Sequence, residues 1–209
     1  MRKARPISGW ILITVVILSG VAPDYGCSGR VMTREGLQQY IRRNNALSKE
    51  EVIRGIKVMV SYMPGELLMQ QELSTLPKGD TARARQLKEK YSGQYYFQLS
   101  YSKNNKEVIR QLGGYARYSD MVQVMSFEMG AYINATDDRN DTLALADYLF
   151  NQEYGMAKAN NMLLAFRRQD FNKAKVIAIT IAEFGLGIGE TRFEFRKSEL
   201  DDVPRLAGL

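Results

Sequence analysis

Apolar and polar residues alternate with the period of a β-strand in several stretches of the chain. From Ile56 to Met63 every second residue belongs to one apolar face, and Pro64 and Gly65 end the stretch. Alternation of this kind predicts a strand with one buried face. Further strands are predicted at 94–101 (QYYFQLSY), 121–133 (MVQVMSFEMGAYI), 142–150 (TLALADYLF), 161–166 (NMLLAF), 174–184 (AKVIAITIAEF) and 191–197 (TRFEFRK).

Helical patterns are concentrated in the first half of the chain. They are found at 34–45 (REGLQQYIRRNN), 65–73 (GELLMQQEL) and 81–91 (TARARQLKEKY). In the first of these, Leu37, Tyr40 and Ile41 fall on the same side of a helix. Asp80 is placed to cap the third. Ser48 followed by Glu51 has the spacing of a capping box, which predicts one more helical turn there.

About seven strands joined by short connections predict a mainly β fold, either an antiparallel sandwich or a strongly curved sheet. A few short helices in the N-terminal half complete the prediction. Because the helices cluster in that half, an α+β fold is the alternative. No repeat or long linker divides the chain, so residues 34–209 are predicted to form a single β-rich domain.

The N-terminus has the pattern of an export signal. Arg2, Lys3 and Arg5 precede the apolar stretch WILITVVILSGV at 10–21, and no acidic residue lies among them. A short basic segment followed by an apolar one of this length is typical of a secretory signal peptide. The apolar stretch is too short for a membrane span, which needs roughly 20 apolar residues. We therefore expect the protein to be exported.

The only cysteine of the chain, Cys27, follows this apolar stretch, with Gly26 before it and Ser28 after it. The segment resembles a bacterial lipoprotein signal, in which a cysteine after a small residue is acylated and becomes the mature N-terminus. Asp24 and Tyr25 depart from the aliphatic and small residues usual at those places. The resemblance covers about the first thirty residues and implies a lipid anchor at Cys27. Cleavage after Ala22 without lipidation, or a retained N-terminal anchor, are the alternatives.

These features predict the organisation of the whole chain. Residues 1–26 are predicted to form the signal peptide, and residues 27–33 the lipidated N-terminus and a tether to the domain. The expected location is a membrane of the bacterial cell envelope, on the periplasmic side or at the cell surface. Nucleic acid is not expected as a partner of an exported protein.

The composition excludes most enzyme classes. The chain has no histidine and one cysteine, so it lacks the usual general base near neutral pH, a Ser/His or Cys/His nucleophilic pair and the nitrogen ligands of most zinc sites. Carboxylate chemistry remains possible, and Glu66, Glu72, Glu128 and Asp147 lie in or beside predicted elements. Nothing in the sequence selects two of them. We expect no enzymatic activity, with a carboxylate-based hydrolase as the least favoured alternative.

Two loops have compositions that suggest ligands. NATDDRNDT at 134–142 is rich in oxygen ligands for calcium, but it lacks the turn glycine of an EF-hand, and the twelfth position counted from Asp138 is Leu149. GLGIGE at 185–190 lacks the Lys and Ser/Thr of a phosphate-binding P-loop. Both are predicted to be hairpin connections, and neither a metal nor a cofactor is expected.

Aromatic residues are dense between Tyr91 and Tyr118, which suggests either a core or a platform for a sugar ring. Alternation assigns Tyr95, Phe97 and Tyr101 to the buried face of a strand and leaves Tyr96 on the opposite face. A carbohydrate-binding or surface-attachment module that uses exposed tyrosines is therefore the alternative function.

The net charge of +6 is unevenly distributed along the chain. Nine basic and three acidic residues lie between Lys78 and Arg117. Such a segment suits an anionic lipid or polysaccharide near a membrane. The residues predicted to make this contact are Arg83, Arg85, Lys88 and Lys90. The favoured function is a lipid-anchored, non-enzymatic binding or assembly component, in contact with an envelope protein complex or an anionic surface.

Overall fold

The computed structural model describes residues 30–77 and 79–208. In chain order these residues form β1 (Val31–Met32), α1 (Arg34–Arg43), β2 (Ser48–Ile53), β3 (Ile56–Met63), α2 (Gly65–Leu73), α3 (Thr81–Ser92), β4 (Gln94–Lys103), β5 (Lys106–Glu107), α4 (Tyr115–Gln123), β6 (Ile133–Asp137), β7 (Thr142–Ala144), β8 (Asp147–Asn151), β9 (Asn160–Arg167), β10 (Val176–Ile181), β11 (Thr191–Arg196), α5 (Lys197–Asp201) and β12 (Arg205–Leu206). Shorter turns of 3-10 helix lie at Ile109–Gln111, Met129–Ala131 and Arg168–Phe171, and a π-helical turn at Val124–Glu128.

The fold is mainly β, as predicted, and the strands form two principal antiparallel sheets. The large sheet has the order β2-β3-β4-β9-β8, with β5 paired to β4, and the small sheet has the order β11-β10-β6-β7. A parallel pair, β1 with β12, forms a third and separate sheet. The described residues contain twelve strands rather than about seven, because several are only two or three residues long and carry too few positions for alternation to be detected.

One hydrophobic core lies between the two principal sheets, as in a sandwich. The rings of Phe97 on β4 and Phe195 on β11 are both fully buried, and their centroids are 5.0 Å apart. Leu37 and Ile41 of α1 join the same core, on the helix face predicted for them. The alternating residues of β3 and β4 fill the large-sheet side, which confirms those two strands and their buried faces.

The first described residues are already part of the fold. Val31 and Met32 pair with Arg205 and Leu206, and the backbone N–H of Arg205 donates to the carbonyl of Arg30 over 2.8 Å. Residues 31–33, which the sequence analysis assigned to the tether, are therefore a strand and the N-cap of α1. The folded part begins closer to Cys27 than the sequence indicated.

The predicted helical turn at Ser48 is wrong. Residues Ser48–Ile53 form β2, which pairs along its whole length with β3. The Ser48 hydroxyl lies 2.6 Å from the Ser61 hydroxyl on the neighbouring strand, instead of capping a helix. Pairing with an adjacent strand outweighs a local capping signal, because it satisfies several backbone groups at once.

The predicted strand at 121–133 is also wrong for most of its length. The chain is helical through α4, the π-helical turn and the following 3-10 turn, and it becomes extended only at Ile133. Met121, Met125 and Met129 are all buried, which is the four-residue spacing of one helix face. The apolar residues of this segment also fit a period of two, and for this reason the sequence pattern predicted a strand instead of a helix.

The predicted strand at 142–150 is divided between the two sheets. Thr142–Ala144 form β7 of the small sheet, whereas Asp147–Asn151 form β8 of the large sheet. The chain crosses between them at Ala146, whose N–H donates to the carbonyl of Ala165 over 2.9 Å.

Within residues 30–77 and 79–208, no helix combines the length and the apolar character needed to cross a membrane.

Candidate functional site

A cavity of about 350 Å³ opens between α3, the N-terminal end of α2, α5 and β12. This volume is at the lower end of the range found for small-molecule sites. The residues lining it are Tyr62, Pro64, Gly65, Glu66, Met69, Lys88, Tyr91, Ser92, Arg168, Leu200, Asp201, Val203, Pro204 and Arg205. They come from four distant parts of the chain, so no local sequence pattern could predict that they meet.

Gly65 allows α3 to approach the start of α2 at the mouth of this cavity. A Cβ atom at position 65 would lie 2.5 Å from the carbonyl oxygen of Tyr91, closer than any real contact of that kind. Pro64 ends β3 and directs the chain into α2 at this point. The β3–α2 junction therefore depends on a residue without a side chain, which lets the two helices pack side by side.

Arg168 organises the polar wall of the cavity. Its Nη1 donates to Asp201 Oδ1 over 2.9 Å, and its Nη2 donates to the Tyr62 hydroxyl over 3.2 Å. The guanidinium carbon lies 4.0 Å from the ring centroid of Tyr95, a close cation–π contact. Arg168 is therefore held in one orientation by two hydrogen bonds and an aromatic face.

Asp201 accepts hydrogen bonds from three different side chains. Besides Arg168, the Tyr95 hydroxyl donates to Oδ1 over 2.9 Å, and Lys197 Nζ donates to Oδ2 over 3.0 Å. Burial on its own would raise the pKa of Asp201, but the donors Lys197, Tyr95 and Arg168 outweigh it and hold the pKa below its usual value. Asp201 therefore stays ionised at physiological pH and accepts three side-chain hydrogen bonds, so it is unsuited to act as a general acid.

The Tyr62 hydroxyl lies on the same wall. Burial, partly offset by the charge of Arg168, raises the pKa of Tyr62 to about 12. The phenol therefore remains protonated at physiological pH. Its oxygen accepts from Arg168, and among the described residues no acceptor is present for its proton. The proton is available to a group in the cavity.

Of the four carboxylates singled out from the sequence, only Glu66 lines this cavity. Its Oε2 accepts the backbone N–H of Leu206 over 2.6 Å and so fastens β12 to α2. Glu72 accepts from Lys90 and from the Tyr91 hydroxyl, Glu128 accepts from Gln123, and Asp147 accepts the N–H of Tyr148. None of these three carboxylates lines the cavity, although Tyr91, a partner of Glu72, does.

The four basic residues predicted to contact an anionic surface are all exposed on α3, but they lie on two sides of it. Arg83 and Lys90 are seven residues apart and share one side, where Lys90 forms a 3.0 Å ion pair with Glu72. Arg85 and Lys88 are three residues apart and share another side, where Lys88 lines the cavity. Lys78, at the start of the basic segment, lies outside the described residues.

The predicted placement of the tyrosines on opposite faces of β4 is confirmed, but Tyr96 is buried rather than exposed. Tyr95 and Tyr101 are buried in the core, and Tyr96 lies on the opposite face of β4. Tyr96 is nevertheless only 5% exposed, because α3 covers it and the ring of Tyr91 lies 5.7 Å away. The α2–α3 pair therefore occupies the surface where an aromatic platform for a sugar was considered.

The acidic loop is a hairpin connection between β6 and β7, as predicted. Asp137 is buried and accepts from the backbone N–H groups of Arg139 and Asp141, and its second oxygen accepts from the Arg139 side chain. These bonds form a self-contained turn. Across residues 30–77 and 79–208, no three or more metal-ligating side chains come together.

The glycine-rich loop is also a hairpin connection, between β10 and β11, as predicted. It surrounds a carboxylate of the chain itself. Glu183 Oε1 accepts the N–H groups of Gly185 and Gly187 over 2.7 and 2.8 Å, and Oε2 accepts that of Gly189 over 2.6 Å. These glycines have φ angles of +115°, +71° and +75°, which other residues rarely adopt. The loop does form an anion site, and Glu183 occupies it.

Five large apolar side chains between α4 and β9 are each at least 65% exposed, namely Tyr115, Phe127, Leu149, Tyr154 and Met156. Three of them lie near Arg110, which lines a shallow hollow together with Tyr115 and lies beside Gly155. We name these three, Tyr115, Tyr154 and Met156, the apolar patch. Gln152 donates to the Tyr118 hydroxyl over 3.2 Å, and the N–H of Met129 donates to the Tyr148 hydroxyl over 3.2 Å. These bonds connect α4 and the turn after it with β8 and the loop that follows.

The predicted lipidation residue, Cys27, and the signal segment lie outside the described residues. No protein-family model matches the chain, and no curated protein is similar to it in sequence.

Proposed function

We propose that this protein is exported, anchored in a membrane of the bacterial cell envelope through a lipid on Cys27, and acts as a non-enzymatic binding or assembly component. The observation that carries the proposal is the N-terminal sequence, in which a basic segment and an apolar stretch are followed by Gly26, Cys27 and Ser28. The described part of the fold starts close to Cys27. Arg30 is hydrogen-bonded to β12, and only three residue steps separate it from Cys27. Three extended residues span at most about 10 Å.

Such a short connection would hold one end of the domain against the membrane. About 10 Å is also the Debye length at 0.1 M salt, so charges at this end would interact with head groups before salt screens them. Arg205 lies beside Arg30, and Lys88 lines the same cavity as Arg205. An anchor at Cys27 would therefore place these basic residues next to the lipid head groups.

The apolar patch supports the binding or assembly role. Among the described residues seven large apolar side chains are exposed, and three of them belong to this patch. Grouped exposed apolar residues mark interaction sites in soluble domains, and tyrosine, phenylalanine and methionine are enriched at protein interfaces. We infer that the partner at the patch is another envelope protein that presents apolar side chains.

The anchor is tested by metabolic labelling with an acyl-chain reporter in bacterial cells. We expect label on the wild-type protein and none on a Cys27→Ser variant, with Ser28→Ala as the matched control that keeps the acceptor. Label that persists in Cys27→Ser would show that Cys27 is not the acceptor. Absence of label from the wild-type protein would refute the anchor.

The partner is tested with a photo-crosslinking residue at position 154 in intact cells. We expect one protein adduct, which is lost when Met156→Ser is added, because both side chains belong to the apolar patch. The same crosslinker at Glu194, exposed on the outer face of the small sheet, should give no such adduct. An adduct that forms equally from position 194, or one indifferent to Met156→Ser, would contradict a specific site.

A further inference from the structure

We propose that the cavity between α3 and β12 binds the phosphate group of a membrane lipid. Recognition of phosphate follows from the groups that line the cavity. The inference that this phosphate belongs to a lipid rests on the proposed anchor at Cys27, which would bring head groups to this end of the domain. The two parts of the inference are tested separately below.

The charges around the cavity favour an anion. Lys88 and Arg205 line it, and neither has an ion-pair partner among the described residues. Asp201 is already paired with Arg168 and with Lys197. Glu66 remains as an opposing charge, but one of its oxygens accepts the N–H of Leu206. Counted over the lining residues, the three cations Lys88, Arg168 and Arg205 face the two carboxylates Glu66 and Asp201, so the net charge of the lining is +1.

Uncharged donors face the same space. The Tyr62 hydroxyl proton has no acceptor among the described residues, and Arg168 holds the phenol oxygen in place. The N–H groups of Gly65 and Glu66 belong to the first turn of α2, where backbone N–H groups have no partner within the helix. A helix N-terminus carries a partial positive charge that favours a phosphate. These donors and the two free cations surround one small volume.

The remaining wall is apolar and suits a lipid better than a free ion. Met69, Leu200 and Val203 line the cavity together with two prolines. An inorganic phosphate would leave this apolar surface uncovered, whereas the glycerol and first methylene groups of a phospholipid would cover it. Burial of apolar area adds to the affinity. The cavity also lies beside Arg30, at the end of the domain that an anchor on Cys27 would hold at the membrane.

The test uses the full-length chain purified in a neutral detergent. The midpoint of thermal unfolding is measured by circular dichroism with increasing phosphatidylglycerol, glycerol phosphate or inorganic phosphate at constant ionic strength. A ligand that binds the folded state raises this midpoint according to its concentration relative to Kd. We expect all three to raise it, and phosphatidylglycerol to do so at the lowest concentration.

Two exposed residues on the same side of α3 provide the specificity control. Lys88→Gln removes a cation of the cavity, and it should increase the concentration needed for the same shift by about tenfold, the effect of one lost charged hydrogen bond. Arg85→Gln removes the same charge from the same helix without lining the cavity, and it should leave the binding curve unchanged. Equal losses in the two variants would overturn the site in favour of diffuse attraction.

The other outcomes are also decisive. No shift with any of the three phosphate compounds would overturn phosphate recognition. A shift with the two soluble phosphates but not with phosphatidylglycerol would overturn the lipid source. The measurement does not depend on acylation of Cys27, so failure of the labelling experiment would refute the anchor and leave the result for the cavity standing. Binding that fails in a labelled protein would refute only the cavity.

Discussion

Glu183 should stabilise the fold through the hydrogen bonds that it accepts from the glycine loop. In Glu183→Gln one carboxylate oxygen becomes an amide nitrogen, which donates instead of accepting. If the remaining oxygen stays with Gly185 and Gly187, the new NH₂ group faces the N–H of Gly189, which the wild-type carboxylate accepts over 2.6 Å. The variant therefore loses one hydrogen bond and the charge that strengthened the other two.

The magnitude follows from the number and exposure of these bonds. A hydrogen bond to a charged group contributes about 1.5–3 kcal/mol when well shielded. Glu183 is exposed to solvent, so its contribution is reduced by screening. We expect Glu183→Gln to lower the free energy of unfolding by about 1–2 kcal/mol. For a chain of this size each kcal/mol corresponds to about 2–4 °C in Tm, so the midpoint should fall by about 2–8 °C.

The pH dependence gives a second readout with a definite sign. Partial burial raises the pKa of Glu183, but the N–H groups of Gly187, Gly189 and Gly185 outweigh burial and hold it below its ordinary value. The carboxylate therefore stabilises the fold fully above the unfolded-state pKa of about 4.3. This contribution is lost as the pH falls from there through the folded-state pKa. The difference between wild type and Glu183→Gln should shrink over that interval.

Thermal unfolding followed by circular dichroism at a series of pH values measures both effects. Glu190→Gln is the matched control, because Glu190 ends the same loop and has no hydrogen bond or ion pair among the described residues. A Tm equal to wild type at pH 7 in Glu183→Gln would refute the role of the carboxylate. An unchanged difference between the two proteins as the pH falls through this range would show that charge is not involved.

Two further substitutions test the packing. Gly65→Ala should destabilise the fold by about 1–3 kcal/mol in a urea titration, because its Cβ would meet the Tyr91 carbonyl at 2.5 Å and the backbone would have to move. In the control Gly130→Ala the new Cβ has no contact closer than 3.9 Å, so this variant should be near neutral. Phe97→Ala should lower the free energy of unfolding by about 3–5 kcal/mol, because it removes a fully buried ring between the sheets. The control is Phe127→Ala, which removes a ring that is 80% exposed. Equally small losses of stability in the two variants would contradict the sandwich core.

Elements in which one local pattern is clear can be recognised from the sequence alone. β3, β4, β9, β10 and β11 were predicted with their strand type, and the structure confirms them. The same reason accounts for the correct prediction of α1 and of the cap of α3. In that cap, Asp80 accepts the backbone N–H of Arg83 over 3.0 Å. Alternation and capping depend on neighbours a few residues away, so the sequence contains all that is needed to recognise them.

Where contacts between distant residues compete with local signals, the outcome is visible only in the folded chain. At Ser48 pairing with β3 prevailed over a capping pattern, and between Met121 and Met129 burial of one helix face prevailed over an apparent alternation. The cavity wall joins Tyr62, Arg168 and Asp201 from three separate regions. No local pattern records such a meeting, because it depends on how the sheets and helices pack. The same packing buries Tyr96 beneath α3 and leaves Lys88 facing the cavity.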